Sequence, residues 1–201
     1  MSLTKISNNS LSAISTLPSS IPTGALTLLS TQTASSSASI EFTSGIDSTY
    51  SSYVFKFINI HPATDQADFQ FQGSTDSGST YATTITSTSF RAYHNEAGSD
   101  TLLSYDGDRD LAQSTSFQHL ISDIGNDNDQ SGSGTLQLFN PSSTTFVKHF
   151  ISTVNKYQGN NYNDNQFNAG YFNTTSALTN IKFQMSSGNI DDGTIYMFGV
   201  N

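Results

Sequence analysis

The 201-residue chain has 16 acidic and 7 basic residues, a net charge of −9, and only 11% Asp, Glu, Lys and Arg, against roughly 25% in an ordinary soluble domain. Its cations are scattered from Lys5 to Lys182 with no basic stripe, which argues against nucleic-acid binding. The absence of cysteine excludes a disulfide framework and Cys-ligated zinc, and the absence of any run of about 20 apolar residues excludes a membrane-spanning helix. Ser, Thr, Asn and Gln carry the solubility instead, laid between short aromatic and β-branched runs that suit strands joined by many turns.

Residues 1–23 read as an extended arm. Pro18 and Pro22 oppose both helix and central strand. Leu3, Ile6, Leu11, Ile14 and Leu17 are too interspersed with Ser and Asn for a signal-peptide core. They give such an arm something to bury on a neighbouring subunit; the other reading is a disordered terminus. Residues 24–201 read as one β-domain, a size that sandwiches and barrels reach undivided.

From Gly24 the period is two. Residues 25–30 make a first strand, and residues 39–43 alternate with Ile40 and Phe42 on one face. Residues 53–60 place Tyr53, Phe55 and Phe57 on one side and Val54, Ile58 and Ile60 on the other, the pattern of a central strand. Residues 68–72 set Phe69 and Phe71 inward and Gln70 and Gln72 outward, followed by a turn at 73–78 and strands at 81–86 and 89–93. Residues 95–115 read as a long loop, 117–121 as a strand and 125–134 as a second loop. Residues 135–140 are a strand ended by Pro141. Residues 144–154 are long and mixed, and 157–167, nearly all Asn, Gln, Gly and Asp, read as a third exposed loop. Segments 170–172, 180–185 and 194–200 finish the domain. About ten strands joined by turns too short for crossover helices predict an all-β, jelly-roll-like antiparallel β-sandwich.

The chemistry-bearing residues are few. Asp106, Asp108 and Asp110 alternate in a way that could offer oxygens to Ca²⁺. An EF-hand loop, however, needs Gly at its sixth position and Glu at its twelfth, and those positions hold Leu111 and Phe117. The competing reading is a solvated acidic loop, and Asp123, Asp127 and Asp129 are read in the same two ways. His94-Asn95-Glu96 invites an acid–base reading, but the chain's two Glu, Glu41 and Glu96, lie in separate segments. His61, His94, His119 and His149 share no metal-ligand spacing and are expected at strand ends or interfaces. There is no G-x-S-x-G elbow and no phosphate-cradling glycine motif. Tyr157, Tyr162 and Tyr171 flank the Asn-rich third loop and could stack sugars, the competing role being to fill the core. The expectation is therefore a non-enzymatic protein with no catalytic, cofactor-binding or metal residue assigned, Ca²⁺ at Asp106, Asp108 and Asp110 being left open.

Four phrases carry a family resemblance: residues 53–62 (YVFKFINIHP), 90–96 (FRAYHNE), 138–145 (LFNPSSTT) and 187–200 (SGNIDDGTIYMFGV). Together they resemble virion-associated β-sandwich proteins of marine-type bacteriophages, over most of the chain from Thr23 onward. The phrases are structural and specify no active site. The resemblance implies a virion location, with the protein made in the host cytoplasm and exposed after lysis, on a tail, on a fibre or as capsid decoration. It implies an arm over residues 1–23 that attaches the domain to a fibre or shell. The implied partners are copies of the chain, as a homotrimer or higher oligomer, other virion proteins, and a host-surface glycan. A free carbohydrate-binding module is a further alternative.

Overall fold

The computed structural model describes residues 26–201, so the arm expected over residues 1–23 lies outside the described residues, as do Gly24 and Ala25 of the expected domain and first strand. The described chain is all-β, with no helix among the described residues. Its strands are β1 (Thr27–Thr33), β2 (Ile40–Phe42), β3 (Ser52–Pro62), β4 (Ala67–Ser74), β5 (Ile85–Asn95), β6 (Thr101–Tyr105), β7 (Gln118–Ile124), β8 (Gly132–Phe139), β9 (Lys148–Gln158), β10 (Tyr162–Phe172), β11 (Asn180–Met185) and β12 (Ile190–Val200).

Strand pairing identifies a jelly roll with two insertions. β1 pairs with β12, β2 with β11, β3 with β8 and β4 with β7, so the chain doubles back as one long hairpin. That hairpin is rolled, because β12 also joins β3 and β11 also joins β4. Two antiparallel sheets result, β1-β12-β3-β8 and β7-β4-β11-β2, the double Greek-key arrangement of a jelly roll. The insertions are the β5–β6 hairpin between β4 and β7, and the β9–β10 hairpin between β8 and β11. Both add to the free edge of β8 in the order β9-β10-β5-β6, forming a wing that extends the first sheet to eight strands. A single pair, Ile124↔Gln158, links β7 to β9 and nearly closes the two sheets into a barrel.

The sandwich is filled by rings from both sheets. Tyr53, Phe55 and Phe57 of β3 are fully buried, as alternation in residues 53–57 predicts. They face Phe69 and Phe71 of β4 and Phe183 of β11, which are also fully buried. Phe183 lies at the centre, stacked on Phe69 (5.6 Å, 8°) and edge-on to Phe42, Phe55 and Phe57 at 5.4–6.1 Å, separations at which aromatic pairs attract. Past Phe57 the alternation slips. Asn59 takes a left-handed conformation (φ 51), and the register of β3 on β8 shifts between Phe57 and Ile60. Ile60 is thereby buried while Ile58 remains exposed, so the expectation that both lie on one face is corrected by a β-bulge.

Other expectations change as well. Residues 95–115 are not one loop, because β6 lies within them, and residues 81–84 are not strand. Gln72 does not face solvent: its side-chain amide donates to the carbonyls of Thr83, Thr115 and Ser116, which lie over it (3.0–3.2 Å). The largest correction concerns residues 157–167. They are the end of β9, a three-residue turn and the first half of β10. The turn, Gly159-Asn160-Asn161, is closed by the Gln158↔Tyr162 pair and has Asn161 at φ 61, the hairpin geometry that tolerates Asn.

Replacing Phe183 by Ala is expected to cost about 3–5 kcal/mol in guanidinium unfolding, since it empties the centre of the ring cluster. Phe90→Ala on the exposed surface is expected to change stability by no more than about 0.5 kcal/mol.

Candidate functional site

The two faces of the wing carry different chemistry. Its inner face is polar. Lys156 of β9 sits directly opposite Asp164 of β10, with Nζ 3.3 Å from Oδ2 and both side chains fully buried. Arg91 of β5 reaches the same Oδ2 at 3.3 Å and Asp106 at 3.3 Å. Two cations thus meet two carboxylates and their charge sums to zero, the condition under which ions are tolerated away from water. Burial pushes the Lys156 pKa down, against the opposing pull of Asp164 and Asp123.

A second cluster lies alongside. Asp68 of β4 accepts from the Asp123 N–H (2.8 Å) and from Arg109 Nη1 (3.1 Å), with His119 Nδ1 at 3.1 Å. Arg109 also bonds Asp123 at 3.0 Å. Burial pushes the Asp68 carboxyl up, but His119, the Asp123 N–H and Arg109 together hold it below its ordinary value.

The inward polar residues have a structural task. β7 is the edge of the four-stranded sheet, and an unpaired edge buried inside the protein would strand its backbone groups. Gln166 Oε1 accepts from the Ser122 N–H (3.1 Å) and hydroxyl (2.9 Å), and the Asn168 amide donates to Leu120 O (3.2 Å). Lys156 donates to the Ser122 carbonyl and, at 3.0 Å, to its hydroxyl. Side chains of β9 and β10 therefore take the place of a neighbouring strand.

The sequence-predicted groups are dispersed by this arrangement. Asp106 turns to Arg91, Asp110 accepts from the Tyr105 hydroxyl, and Asp108 is exposed, so the three carboxylates of the Ca²⁺ reading do not converge. Among the described residues no group of three or more His, Cys, Asp or Glu is placed to hold a metal ion. Asp123 is bound to Arg109, away from exposed Asp127 and Asp129. Glu41 pairs with Lys182 (3.1 Å) and Tyr81 (3.0 Å) on the far sheet, remote in pairing from Glu96. His61, His94, His119 and His149 each sit one residue from the end of a strand. Tyr162 shares the inner face with Tyr93 (5.3 Å) and donates to Asp100 (3.0 Å), whereas Tyr157 and Tyr171 occupy the outer face. Those two stand at opposite ends of the β9–β10 hairpin, eight residues or about 27 Å apart, so the three tyrosines form no single platform.

The outer face was not singled out in the sequence, yet it is the most distinctive surface. Cross-strand pairing runs two unbroken rows, one over seven strands from β1 to β5 and one over all eight. One is Leu28, Phe198, Val54, Gln137, Ile151, Ala169 and Thr88; the other is Thr31, Tyr196, Lys56, Thr135, Thr153, Phe167, Phe90 and Tyr105. Phe90 and Phe167 stack at 4.8 Å, and Leu28 and Ile151 are each 53% exposed. Lys56 is the one charged side chain in these rows. Period-two apolar residues at 28, 54, 151 and 198 were the available signal, but only the register aligns them.

Beyond these rows, at the end of the wing bearing the β9–β10 turn, the outer face opens into a groove of about 610 Å³ lined by His94, Glu96, Ser133, Asn155, Tyr157 and Asn163 among others. A second cavity of about 400 Å³ adjoins it, sharing Asn95 and Glu96. Tyr157 donates to Asn161 Oδ1 at 3.1 Å, and the Glu96 carboxylate beside it pushes the phenol pKa up. No family model, curated protein or solved structure matches the chain.

Asp164→Leu alone is expected to cost about 3–5 kcal/mol, because it leaves the fully buried Lys156 without its carboxylate. Adding Lys156→Met is expected to recover part of that loss, giving a coupling of about 1–3 kcal/mol in guanidinium unfolding. Strictly additive costs would show that the cluster does not act as a unit.

Proposed function

We propose that the chain is a non-enzymatic structural protein of a phage virion. It is made in the host cytoplasm and carried on the particle as part of a tail or fibre, packed beside copies of itself as a trimer or higher oligomer. The observation that carries this reading is the outer face of the eight-stranded sheet. Its two central rows hold one charged side chain, Lys56, so a different surface of a neighbouring copy, as a ring of three or more requires, or another virion protein can cover it without stripping water from many ions. Seven strand spacings make the face about 34 Å wide, comparable with the width of one side of a standard protein interface of about 800 Å².

Other features agree. The ionised groups of the wing interior are engaged with one another and with the edge of β7, a scaffold's use of charge. The phrases that resemble phage virion proteins fall largely on β3, the end of β5, the β8 turn and β12, so they follow the jelly roll and its wing. A second reading is capsid decoration, with residues 1–23 gripping the shell; β1, an edge strand of the long sheet with Leu28 53% exposed, gives a neighbouring protein a surface to meet.

Immunogold labelling of phage particles tests both readings. Gold on tail or fibre is the expected result, gold on the head favours decoration, and particles without label overturn the virion role. Deleting residues 1–23 is expected to abolish incorporation; a truncated chain that still enters particles removes the anchoring role of that segment.

A further inference from the structure

We infer that the groove beside the β9–β10 turn binds a neutral oligosaccharide. This adds a host-surface glycan contact to the proposed virion role and is independent of where on the particle the chain sits.

Asn is disfavoured in strands, yet Asn155, Asn163 and Asn165 occupy outward positions of β9 and β10. The inward polar residues of the same strands serve the ion cluster and the β7 edge, a task these outward amides cannot share, because successive side chains point to opposite faces. Residues that break a local preference without a packing reason mark functional surface.

The amides are held in a specific arrangement. The Asn155 side-chain amide donates to Asn163 Oδ1 at 2.8 Å and to the Asp164 carbonyl at 3.3 Å. With those bonds made, the Asn155 side-chain oxygen can still accept and the Asn163 NH₂ can still donate, on two paired and exposed residues. Each hydroxyl of a sugar diol both donates and accepts, so two neighbouring hydroxyls match that pair. Tyr157 stands next to it, partly exposed and anchored through its hydroxyl to Asn161. A pyranose ring can lay its apolar face on such an aromatic side chain while its edge reaches the amides.

Charge narrows the class of sugar. Glu96 is the carboxylate in the lining, and Lys156 contributes only its backbone, its ammonium being on the other face with Asp164. Sialylated, phosphorylated or uronic-acid glycans would meet a negative group and no opposing Lys or Arg. The two neighbouring concavities, about 610 and 400 Å³, fall within the range of small-ligand sites and share Asn95 and Glu96 in their linings, which suits a short chain of sugars. The concavity at the other end of the wing, lined by Thr88, His149, Ile151, Gly170 and Tyr171, has no amide side chains and suits an apolar side chain instead.

The test is an array of neutral and anionic bacterial-surface oligosaccharides probed with the intact chain. It is followed by ¹⁵N NMR titration with maltotriose, mannotriose, chitotriose and 3′-sialyllactose. Binding of neutral glycans is expected, with shifts at the Asn155 and Asn163 side-chain amides. Tyr157→Ala and Asn163→Ala are each expected to weaken binding about tenfold, while Tyr171→Ala leaves it unchanged. Unaltered thermal unfolding of each variant separates loss of the site from loss of the fold, and two independent variants keep the test alive if one unfolds. The inference is overturned if no neutral glycan binds, if only anionic glycans bind, or if affinity survives both substitutions. Since immunogold localisation is read separately, a virion protein without glycan affinity would overturn this inference alone.

Discussion

The wing depends on how the edge of β7 is satisfied. Rolling the chain into a jelly roll leaves β7 at the margin of the four-stranded sheet, beneath the wing, where water cannot serve its backbone. A buried peptide group without a partner costs about 1–3 kcal/mol. The chain meets this with side chains: Gln166, Asn168 and Lys156 bind the buried edge N–H and C=O groups of Leu120 and Ser122. Once a lysine is committed there, a buried carboxylate must follow, and Asp164 brings Arg91 and Asp106 with it. Two of the chain's seven cations and two of its sixteen acids are held in this way on the inner side of the wing, while the two central rows of the outer face carry Lys56 as their one charge.

The aromatic half of the fold is legible in the sequence because hydrophobic alternation has one reading. Tyr53-Val54-Phe55-Lys56-Phe57 and Phe69-Gln70-Phe71 announce both strand and inward face, and the structure places those rings at the centre of the sandwich. The polar half is not legible by the same rule. Asn163-Asp164-Asn165-Gln166 is polar at every position, so alternation vanishes and the segment reads as loop. Its true signal is the symmetry of a hairpin. Lys156 and Asp164 lie four residues either side of Asn160, and opposite charges at mirrored positions across a turn mark a cross-strand ion pair. The acidic loop misleads for a related reason. Asp106, Asp108 and Asp110 are close in sequence, but Arg91 comes from β5 and Asp110 turns back to Tyr105, so topology pulls the carboxylates apart. The bulge at Asn59 is a backbone event, and only register reveals that it returns Ile60 to the core.

The outer surface then divides between two kinds of contact. The central rows are broad, apolar in part and nearly free of charge, suited to a protein neighbour. The end with the β9–β10 turn is amide-rich and concave, suited to hydroxyls. A component held beside its copies by the first surface would present the second many times on one particle, and weak single sites joined in that way bind far more strongly than any one alone.

Sedimentation equilibrium of the intact chain is the most direct measurement of the claim that the outer sheet face is an assembly surface. The account predicts a closed oligomer, a trimer or larger, that falls to monomer when Ile151→Asp and Phe167→Asp place charges in the two central rows. A monomer at every concentration, or an oligomer that both substitutions leave intact, would contradict it.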